Sequence, residues 1–323
     1  MEEAIEGLAD QLREGDRIGT AAGAPIPMPS AVVITGMGGS AMGGELLRGL
    51  IAAHCPVPIT RVRGFGIPGW AGPGTLVVCV SYSGNTMETL ACAQRAHDQG
   101  ATILAVGSGG KLGALADEWD APFARVPGGM QPRAALGYLF GAMAGAFGAA
   151  GLARDCIALE SAQGVDLVDR DAARLLGERV AETIPLIYGA GPVGAVAYRW
   201  KTQLNENAKM HAFSHAFPEL DHNEIVGWEG ARGLFGAVVL REGSEQAETR
   251  RMIDLTKELI GADAVFVEDV GGVGDTVSGR AFSLVAFGDW VSYYAALARG
   301  IDPTPVERLV ELKRRMNGSS AGA

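Results

Sequence analysis

Three hydroxyl side chains, those of Ser81, Ser83 and Thr86, lie within one short segment, SYSGNT. The segment follows an apolar run and precedes a helical pattern, which predicts a loop at a helix N-terminus. Free backbone N–H groups and the helix dipole favour an anion there, so this loop can bind a phosphate without any Lys or Arg. Ser and Thr are also preferred helix caps, and the pattern alone leaves both interpretations open.

A glycine-rich turn supplies further candidates for the same ligand. The segment GMGGSAMGG begins at Gly36, directly after another apolar run, and contains Ser40 with Gly39 beside it. The carboxyl ends of parallel strands meet at one edge of a sheet. Gly39 and Ser40 are therefore predicted to face the same phosphate as the hydroxyl loop.

The same turn satisfies the literal dinucleotide pattern GxGxxA, and Gly189 begins a second one, GxGxxG. A dinucleotide site also needs an acidic residue about 20 positions further on, to hold the ribose hydroxyls. The first copy has PITRVR there, without an acid, and the second runs into a polar helix. The sequence therefore predicts no nicotinamide cofactor, and the glycines have tight strand-to-helix turns as their alternative role.

Alternating strand and helix patterns must position these loops. Apolar runs at residues 31–34 and 75–80 end at glycine or small polar residues, as buried parallel strands do. The order then continues with helix 87–99, strand 102–106, helix 111–118, strand 122–126 and an Ala/Gly-rich helix. This alternation predicts an α/β fold built from right-handed βαβ units.

The pattern then repeats. Residues 184–188 run into Gly189 as residues 32–35 run into Gly36, and Thr249 stands opposite Thr89 in a second pair of similar segments. The repeat predicts an internal duplication. The second copy lacks the Ser/Thr cluster, so the phosphate chemistry belongs to the first. The predicted organisation is an N-terminal helix and first domain at 1–152, a helical linker at 153–183, a second domain with a C-terminal helix at 184–316, and a disordered tail at 317–323.

Composition limits the class of protein. The 323 residues are 48% hydrophobic, and 27 basic against 37 acidic residues give a net charge of −10, which argues against nucleic acid as a partner. The four cysteines show no CxxC spacing, and the acidic N-terminus is not a secretory signal, so a cytoplasmic location is expected. Residues 134–153 are uncharged and of bilayer length. Their Ala/Gly composition and α/β surroundings nevertheless predict a buried helix and no membrane association.

Four segments together resemble a known family. GMGGSAMGG and SYSGNT are followed by NENAK at 205–209 and PELDHNE at 218–224. This set is similar to the bifunctional phosphoglucose/phosphomannose isomerase family, over residues 30–315. SYSGNT is common to many sugar isomerase (SIS) proteins, including regulators. The pair NENAK and PELDHNE is more selective for this family. The resemblance implies two tandem SIS domains, each a parallel sheet flanked by helices in a Rossmann-like, flavodoxin-like three-layer sandwich. It also implies interconversion of glucose 6-phosphate, and of mannose 6-phosphate, with fructose 6-phosphate.

Proton transfer in such an isomerase needs a base that takes a proton from one carbon and returns it to the next. The resemblance gives this role to Glu206. It gives ring opening to His222, whose side-chain type titrates near neutrality, and it supplies that histidine across the interface of a homodimer. The alternative for Glu206 is a structural role in a buried polar pair of helices. The alternative for His222 is a core histidine whose hydrogen bonds are all satisfied.

The resemblance also implies that two cationic residues lie near the sugar. Arg133, at the start of the apolar helix, stabilises the negative enediolate, because a guanidinium stays charged throughout the reaction. A surface arginine is the alternative. Lys313 in the last helix lies near the sugar ring, and Thr304 is associated with accepting either epimer. Three other cations compete with Lys313 for its role: Lys209, Arg314 and Arg315.

Metal binding is not expected. His211 and His215 are spaced i, i+4 and suggest a metal site together with His222, but no Cys or carboxylate joins them at a convincing ligand spacing.

Two rival functions remain at this point. One is a non-catalytic phosphosugar-binding regulator, which needs the hydroxyl loop but neither Glu206 nor His222. The other is an SIS isomerase that acts on another sugar phosphate.

Overall fold

The structure, a computed structural model, describes residues 1–318. Its first sheet has parallel strands in the order β2-β1-β3-β4-β5. These strands are β1 (Ala31–Gly36), β2 (Ile59–Val62), β3 (Thr75–Val80), β4 (Thr102–Gly107) and β5 (Phe123–Arg125). Strand β3 is buried along its whole length, which explains its continuously apolar sequence. Gly36 pairs with Val80, so β1 and β3 end side by side.

Helices cover both faces of this sheet and produce three layers. They are α1 (Glu2–Glu6), α2 (Leu8–Gly23), α3 (Gly38–Ile51), α4 (Met87–Asp98), α5 (Gly110–Glu118) and α6 (Leu136–Ala149), with a 3₁₀ helix at Pro132–Ala135 before α6. Helices α2, α3 and α6 share one core with Val32 and Val78, while α4 and α5 share another with Val33 and Val77. Successive residues of a strand point to opposite faces, so each core takes alternate positions.

The second sheet repeats this plan. Its strands β6 (Ile184–Ala190), β7 (Phe213–Phe217), β8 (Phe235–Arg241) and β9 (Phe266–Gly271) are parallel and follow the order β7-β6-β8-β9. This order matches β2-β1-β3-β4, as the predicted duplication requires. The remaining helices are α7 (Ile157–Val165), α8 (Arg170–Val180), α9 (Val193–Glu206), α10 (Glu224–Gly227), α11 (Ala247–Ile260), α12 (Val277–Ala298) and α13 (Glu307–Gly318), with 3₁₀ turns at Glu219–His222 and Trp228–Gly230.

The stretch predicted as a helical linker is part of the packed interior. Helix α7 packs against α2 and α12, and α8 packs against α12. A Cβ built at Gly164 would overlap the backbone of Gly279, so α7 and α12 touch directly. The buried face of α7 consists largely of small residues, which carry little hydrophobic signal in the sequence. The domain boundaries at 152 and 183 stay a prediction. Of the predicted tail, residues 319–323 lie outside the described residues.

Glycine residues allow the backbones of helices α2 and α6 to pack in direct contact. A Cβ at Gly19 would overlap the carbonyl of Ala142, and one at Gly145 would overlap the carbonyl of Asp16. Gly141 meets the backbone of Leu12 in the same way. The GxxxG spacing in α6 therefore serves helix packing inside the protein, and its nearly complete burial confirms the predicted buried helix.

One described helix, α12, is long and apolar enough to cross a membrane by length and composition, and 72% of the relevant window is buried inside the protein. Core helices of soluble proteins meet the same criterion. The uncharged run at 134–153, by contrast, is divided between a 3₁₀ turn, the 14-residue helix α6 and the segment after it.

Candidate active site

The hydroxyl loop connects the end of β3 to the start of α4. Ser81 is fully buried, and its Oγ donates a hydrogen bond to Oγ1 of Thr86 at 3.0 Å. Ser83 is exposed at the tip, where its Oγ accepts from the N–H of Asn85 at 3.3 Å. Thr86 occupies the N-cap position of α4 but makes no side-chain capping hydrogen bond. The loop therefore keeps the N–H groups of the first turn of α4 free of a side-chain cap, as a phosphate-binding loop requires.

Backbone geometry holds the loop in this shape. Gly84 has φ +67°, and a Cβ there would overlap the carbonyl of Gly109. A residue with a side chain would be strained in this conformation and would collide with that carbonyl.

The glycine turn meets the hydroxyl loop through a hydrogen bond. Ser40, in the first turn of α3, accepts from the backbone N–H of Tyr82 at 3.0 Å. Gly39 lies against the polypeptide at Arg133, since a Cβ on Gly39 would come within 2.9 Å of the Cα of Arg133. Three predicted segments therefore converge at the carboxyl edge of the first sheet.

Arg133 is the central cation of this site, with only 2% of its surface exposed. Its Nε donates to Oδ1 of Asn207 at 2.8 Å, and its Nη2 donates to the carbonyls of Pro303 at 2.8 Å and Thr304 at 3.0 Å. Burial lowers the pKa of Arg133, and the charge of Glu206 opposes that shift. A surface arginine, the alternative suggested by the sequence, is thus wrong.

Glu206 ends helix α9 and brings the second half of the chain to this site. Its Oε2 lies 3.6 Å from Nη1 of Arg133, and 30% of its side chain is exposed. Helix α9 packs against α3, which places a carboxylate from the NENAK segment beside the glycine turn of the first domain. The pair combines a group able to accept a proton with a fixed cation able to stabilise an oxyanion.

Lys209 is a second cation beside Glu206. Its Nζ donates to the carbonyl of Glu206 at 2.6 Å, and its backbone has φ +52°. Burial and the neighbouring Arg133 lower the pKa of Lys209. Lys313, in contrast, is exposed on α13. In the single chain, therefore, Lys209 and not Lys313 adjoins Arg133 and Glu206. Thr304 takes part through its carbonyl, which accepts from Arg133.

His222 lies at the end of the 3₁₀ turn after β7 and is exposed. Within residues 1–318 its ring makes no side-chain hydrogen bond or ion pair. The interpretation as a satisfied core histidine is therefore wrong. The single chain brings together the hydroxyl loop, the glycine turn, Arg133 and Glu206, while His222 and Lys313 remain on its surface.

A polar network near His222 was not predicted from the sequence. Glu224 accepts from the hydroxyl of Tyr188 at 2.7 Å, and its other oxygen lies 3.0 Å from Nδ1 of His215. Trp228 donates to the same tyrosine hydroxyl at 3.1 Å. Burial and Glu224 raise the pKa of Tyr188. His215, considered above only with His211 as a metal ligand, thus has a carboxylate partner. Among the described residues, no group of three or more His, Cys, Asp or Glu side chains is arranged to hold a metal.

The second sheet carries carboxylates where the first carries hydroxyls. The loop after β8 contains Glu242, which is 3% exposed, and Glu245. Burial alone would raise the pKa of Glu245, but hydrogen bonds from backbone N–H groups and the nearby Arg241 lower it. A cavity of about 920 Å³ lies at this edge and is lined by both carboxylates. Two carboxylates disfavour the binding of a phosphate at this edge.

Comparisons with known proteins identify the family to which the sequence is similar. A family model described as the bacterial phospho-glucose isomerase C-terminal SIS domain matches residues 169–316. The bifunctional phosphoglucose/phosphomannose isomerase of Caldicellulosiruptor bescii is 36% identical, and the alignment covers 98% of each chain. The protein of the same name from Thermoplasma acidophilum is 34% identical, with 98% of this chain and 97% of that protein covered.

Solved structures show the same fold. The C-terminal domain of glucosamine-fructose-6-phosphate aminotransferase from Francisella tularensis superposes with a TM-score of 0.75 at 14% identity, covering 94% of this chain and 98% of that one. At this identity the likeness concerns the fold alone. It confirms the predicted α/β fold with two parallel sheets between helices, and the family model identifies the C-terminal part as an SIS domain.

Proposed function

The chain belongs to the bifunctional phosphoglucose/phosphomannose isomerase family, and from that premise we propose that the site at Arg133 and Glu206 carries out its isomerisation. The reaction interconverts glucose 6-phosphate and mannose 6-phosphate with fructose 6-phosphate. The observation that carries the site assignment is the 3.6 Å approach of Nη1 of Arg133 to Oε2 of Glu206, beside the hydroxyl loop.

The substrate phosphate binds at the carboxyl edge of the first sheet. Ser83 and Thr86 donate hydroxyl hydrogen bonds, and the N–H groups at the start of α4 supply the remaining donors. Gly39 and Ser40 complete the site from the glycine turn. Ser81 orients Thr86, because its Oγ donates to the hydroxyl oxygen of that residue and leaves the Thr86 hydrogen for a ligand.

The proton transfer is assigned to Glu206. The carboxylate removes the proton from C2 of the open-chain aldose and returns it to C1, while the hydroxyl proton of O2 passes to O1, which produces the ketose. The negative charge that develops on oxygen is stabilised by Arg133, which is buried and held in place. C2 is planar in the enediolate, so both aldoses converge on one intermediate and a single base serves either epimer.

Ring opening is assigned to His222 of a second copy of the chain. The exposure of His222 supports this, because an imidazole that has no side-chain partner within residues 1–318 can enter a neighbouring site. Helix α13 gives a second reason. Four of its apolar side chains are 41% to 61% exposed in the single chain: Leu309, Val310, Leu312 and Met316. Burial of this face in a homodimer would remove apolar surface from water and would also fix Lys313 near a sugar ring.

A cytoplasmic location accompanies this function. The four cysteines are free thiols, and Cys79 and Cys92 are buried without forming a disulfide. Free thiols are typical of a reducing compartment.

One assay tests the proposed function directly. Purified protein treated with EDTA is given fructose 6-phosphate, and the products are separated as glucose and mannose phosphates. Formation of both aldose phosphates is expected. Binding of fructose 6-phosphate without conversion would favour the non-catalytic regulator, and conversion only of another sugar phosphate would favour a different SIS isomerase.

A further inference from the structure

The protein partners of the Arg133 guanidinium group are concentrated on two of its three nitrogen atoms. An arginine carries five N–H donors: one on Nε and two on each terminal nitrogen. The Nε donor goes to Asn207, and Nη2 donates to the carbonyls of Pro303 and Thr304. Three donors are thereby committed to the protein. The Nη1 edge remains, and this is the edge that faces Glu206.

The partner on Nε is itself held in one orientation. Asn207 is fully buried, and its Nδ2 donates to Oγ of Ser292 at 2.9 Å. Ser292 donates its single hydroxyl hydrogen to the carbonyl of Asp289 at 2.7 Å, so the hydroxyl can only accept from Asn207. This direction requires the amide nitrogen of Asn207 to face Ser292. Its Oδ1 must therefore face Arg133.

The same turn of α12 also holds the backbone of Arg133. Asp289 binds Arg199 through two hydrogen bonds, at 2.6 Å and 2.9 Å, and both residues are almost fully buried. Nη2 of Arg199 in turn donates to the carbonyl of Arg133 at 3.2 Å. Helix α12 thus fixes both the main chain and the guanidinium of Arg133.

We propose that Asn207, anchored by Ser292, is a positioning residue that directs the Nη1 edge of Arg133 towards the oxygen atoms of the enediolate. The inference rests on the proposed function, in which Arg133 faces the reacting carbons. Stabilisation of a developing charge depends on donors that are already oriented when the charge appears. Without an acceptor at Nε, the guanidinium loses one of its three fixed contacts and can turn away from that orientation.

The test compares two ligands that bind the same phosphate loop. Glucitol 6-phosphate carries no charge at C1 and C2, whereas a five-carbon phosphosugar hydroxamate resembles the planar, negative enediolate. In Asn207→Ala, we expect kcat and hydroxamate affinity each to fall ~10- to 100-fold, below the loss for complete removal of an oxyanion donor. KM and the affinity for glucitol 6-phosphate should change less than about twofold, since the phosphate contacts are untouched.

A second variant guards against poor folding of Asn207→Ala. Ser292→Ala removes only the anchor, and a smaller loss of kcat in the same direction is expected. Asn205→Ala is the matched control, because this amide lies two residues earlier, in the last turn of α9, but donates to the carbonyl of Met210. It should keep the wild-type kcat. An equal loss of affinity for both ligands in Asn207→Ala, or an equal loss of kcat in Asn205→Ala, would overturn the inference.

Arg133→Lys separates this inference from the proposed function. Loss of activity in Arg133→Lys together with wild-type kcat in Asn207→Ala and Ser292→Ala would leave the role of Arg133 intact and exclude positioning by Asn207. Wild-type activity in Arg133→Lys would contradict the proposed role of Arg133 itself.

Discussion

Nη1 of Arg133 lies 3.6 Å from Oε2 of Glu206, although the two residues come from different halves of the chain. The arginine is 2% exposed and the carboxylate side chain 30% exposed. The cation is therefore fixed in the interior, while the carboxylate can be reached by a ligand from solvent. A proton acceptor that serves two adjacent carbons benefits from this difference, because the acceptor must shift while the charge beside it stays in place.

Glu206→Gln should retain sugar phosphate binding and lose isomerisation, because the amide keeps the shape but cannot accept a proton. Removal of a general base typically lowers the rate ~10²- to 10⁴-fold. The measurement is kcat, together with incorporation of solvent deuterium at C1 or C2. Glu248→Gln, at an exposed glutamate on α11, is the control and should behave as wild type. Turnover near the wild-type rate in Glu206→Gln would remove this residue from the mechanism.

Ser83→Ala combined with Thr86→Ala should weaken phosphosugar binding without unfolding the protein. Each hydroxyl hydrogen bond to a charged acceptor contributes about 1.5–3 kcal/mol. Calorimetric titration with 6-phosphogluconate measures the loss. The control is Ser244→Ala, in the corresponding loop of the second sheet, which should leave the affinity unchanged. Equal affinity of the double variant and the wild type would be incompatible with phosphate binding by the hydroxyl loop.

His222→Ala should impair turnover of the ring form more than turnover of the open-chain aldehyde, because only the ring form needs proton transfer at the ring oxygen. If His222 enters the site of a second copy, mixing inactive Glu206→Gln with inactive His222→Ala chains should restore activity. Half of randomly paired dimers are mixed and contain one native site each, so about a quarter of wild-type activity is expected. Mixed dimers without activity would place both residues in the same chain or make His222 structural.

Gly19→Ala should lower the melting temperature, because the added methyl group overlaps the carbonyl of Ala142 and forces α2 away from α6. Overpacking of this kind typically costs about 1–3 kcal/mol. Gly69→Ala is the matched control, since nothing lies within 4 Å of a Cβ at that position. Thermal unfolding of both variants measures the difference. Equal melting temperatures would show that the helices separate without loss of stability.

The local parts of the site were predictable from the sequence. The hydroxyl loop and the glycine turn each combine a strand, a turn and a helix within a few residues, so periodicity alone positions Ser40 and Ser81. The approach of Arg133 to Glu206 depends on how α9 packs against the first domain, and no local pattern encodes that contact. The sequence motif contained Asn207, but its role follows only from a buried hydrogen bond to α12.

The packing of the helices in residues 153–183 could not be predicted for a related reason. Mixed charges at helical spacing occur both on free helices and on the solvent side of packed ones. The buried side of α7 presents Ala158, Ala162 and Gly164, whose small side chains produce no strong apolar stripe. These small residues allow α12 to approach closely, and the local sequence of α7 does not show which helix packs there.

The glycine contacts between α2 and α6 also affect the order in which the nascent chain can fold. Residues of α2 leave the ribosome more than one hundred positions before those of α6. At typical elongation rates of about 5–20 residues per second, the delay is on the order of ten seconds. During that time α2 lacks the only surface that fits its glycine face within residues 1–318. The first domain therefore completes its core only after residue 149 has been synthesised, and until then α2 remains a potential chaperone substrate.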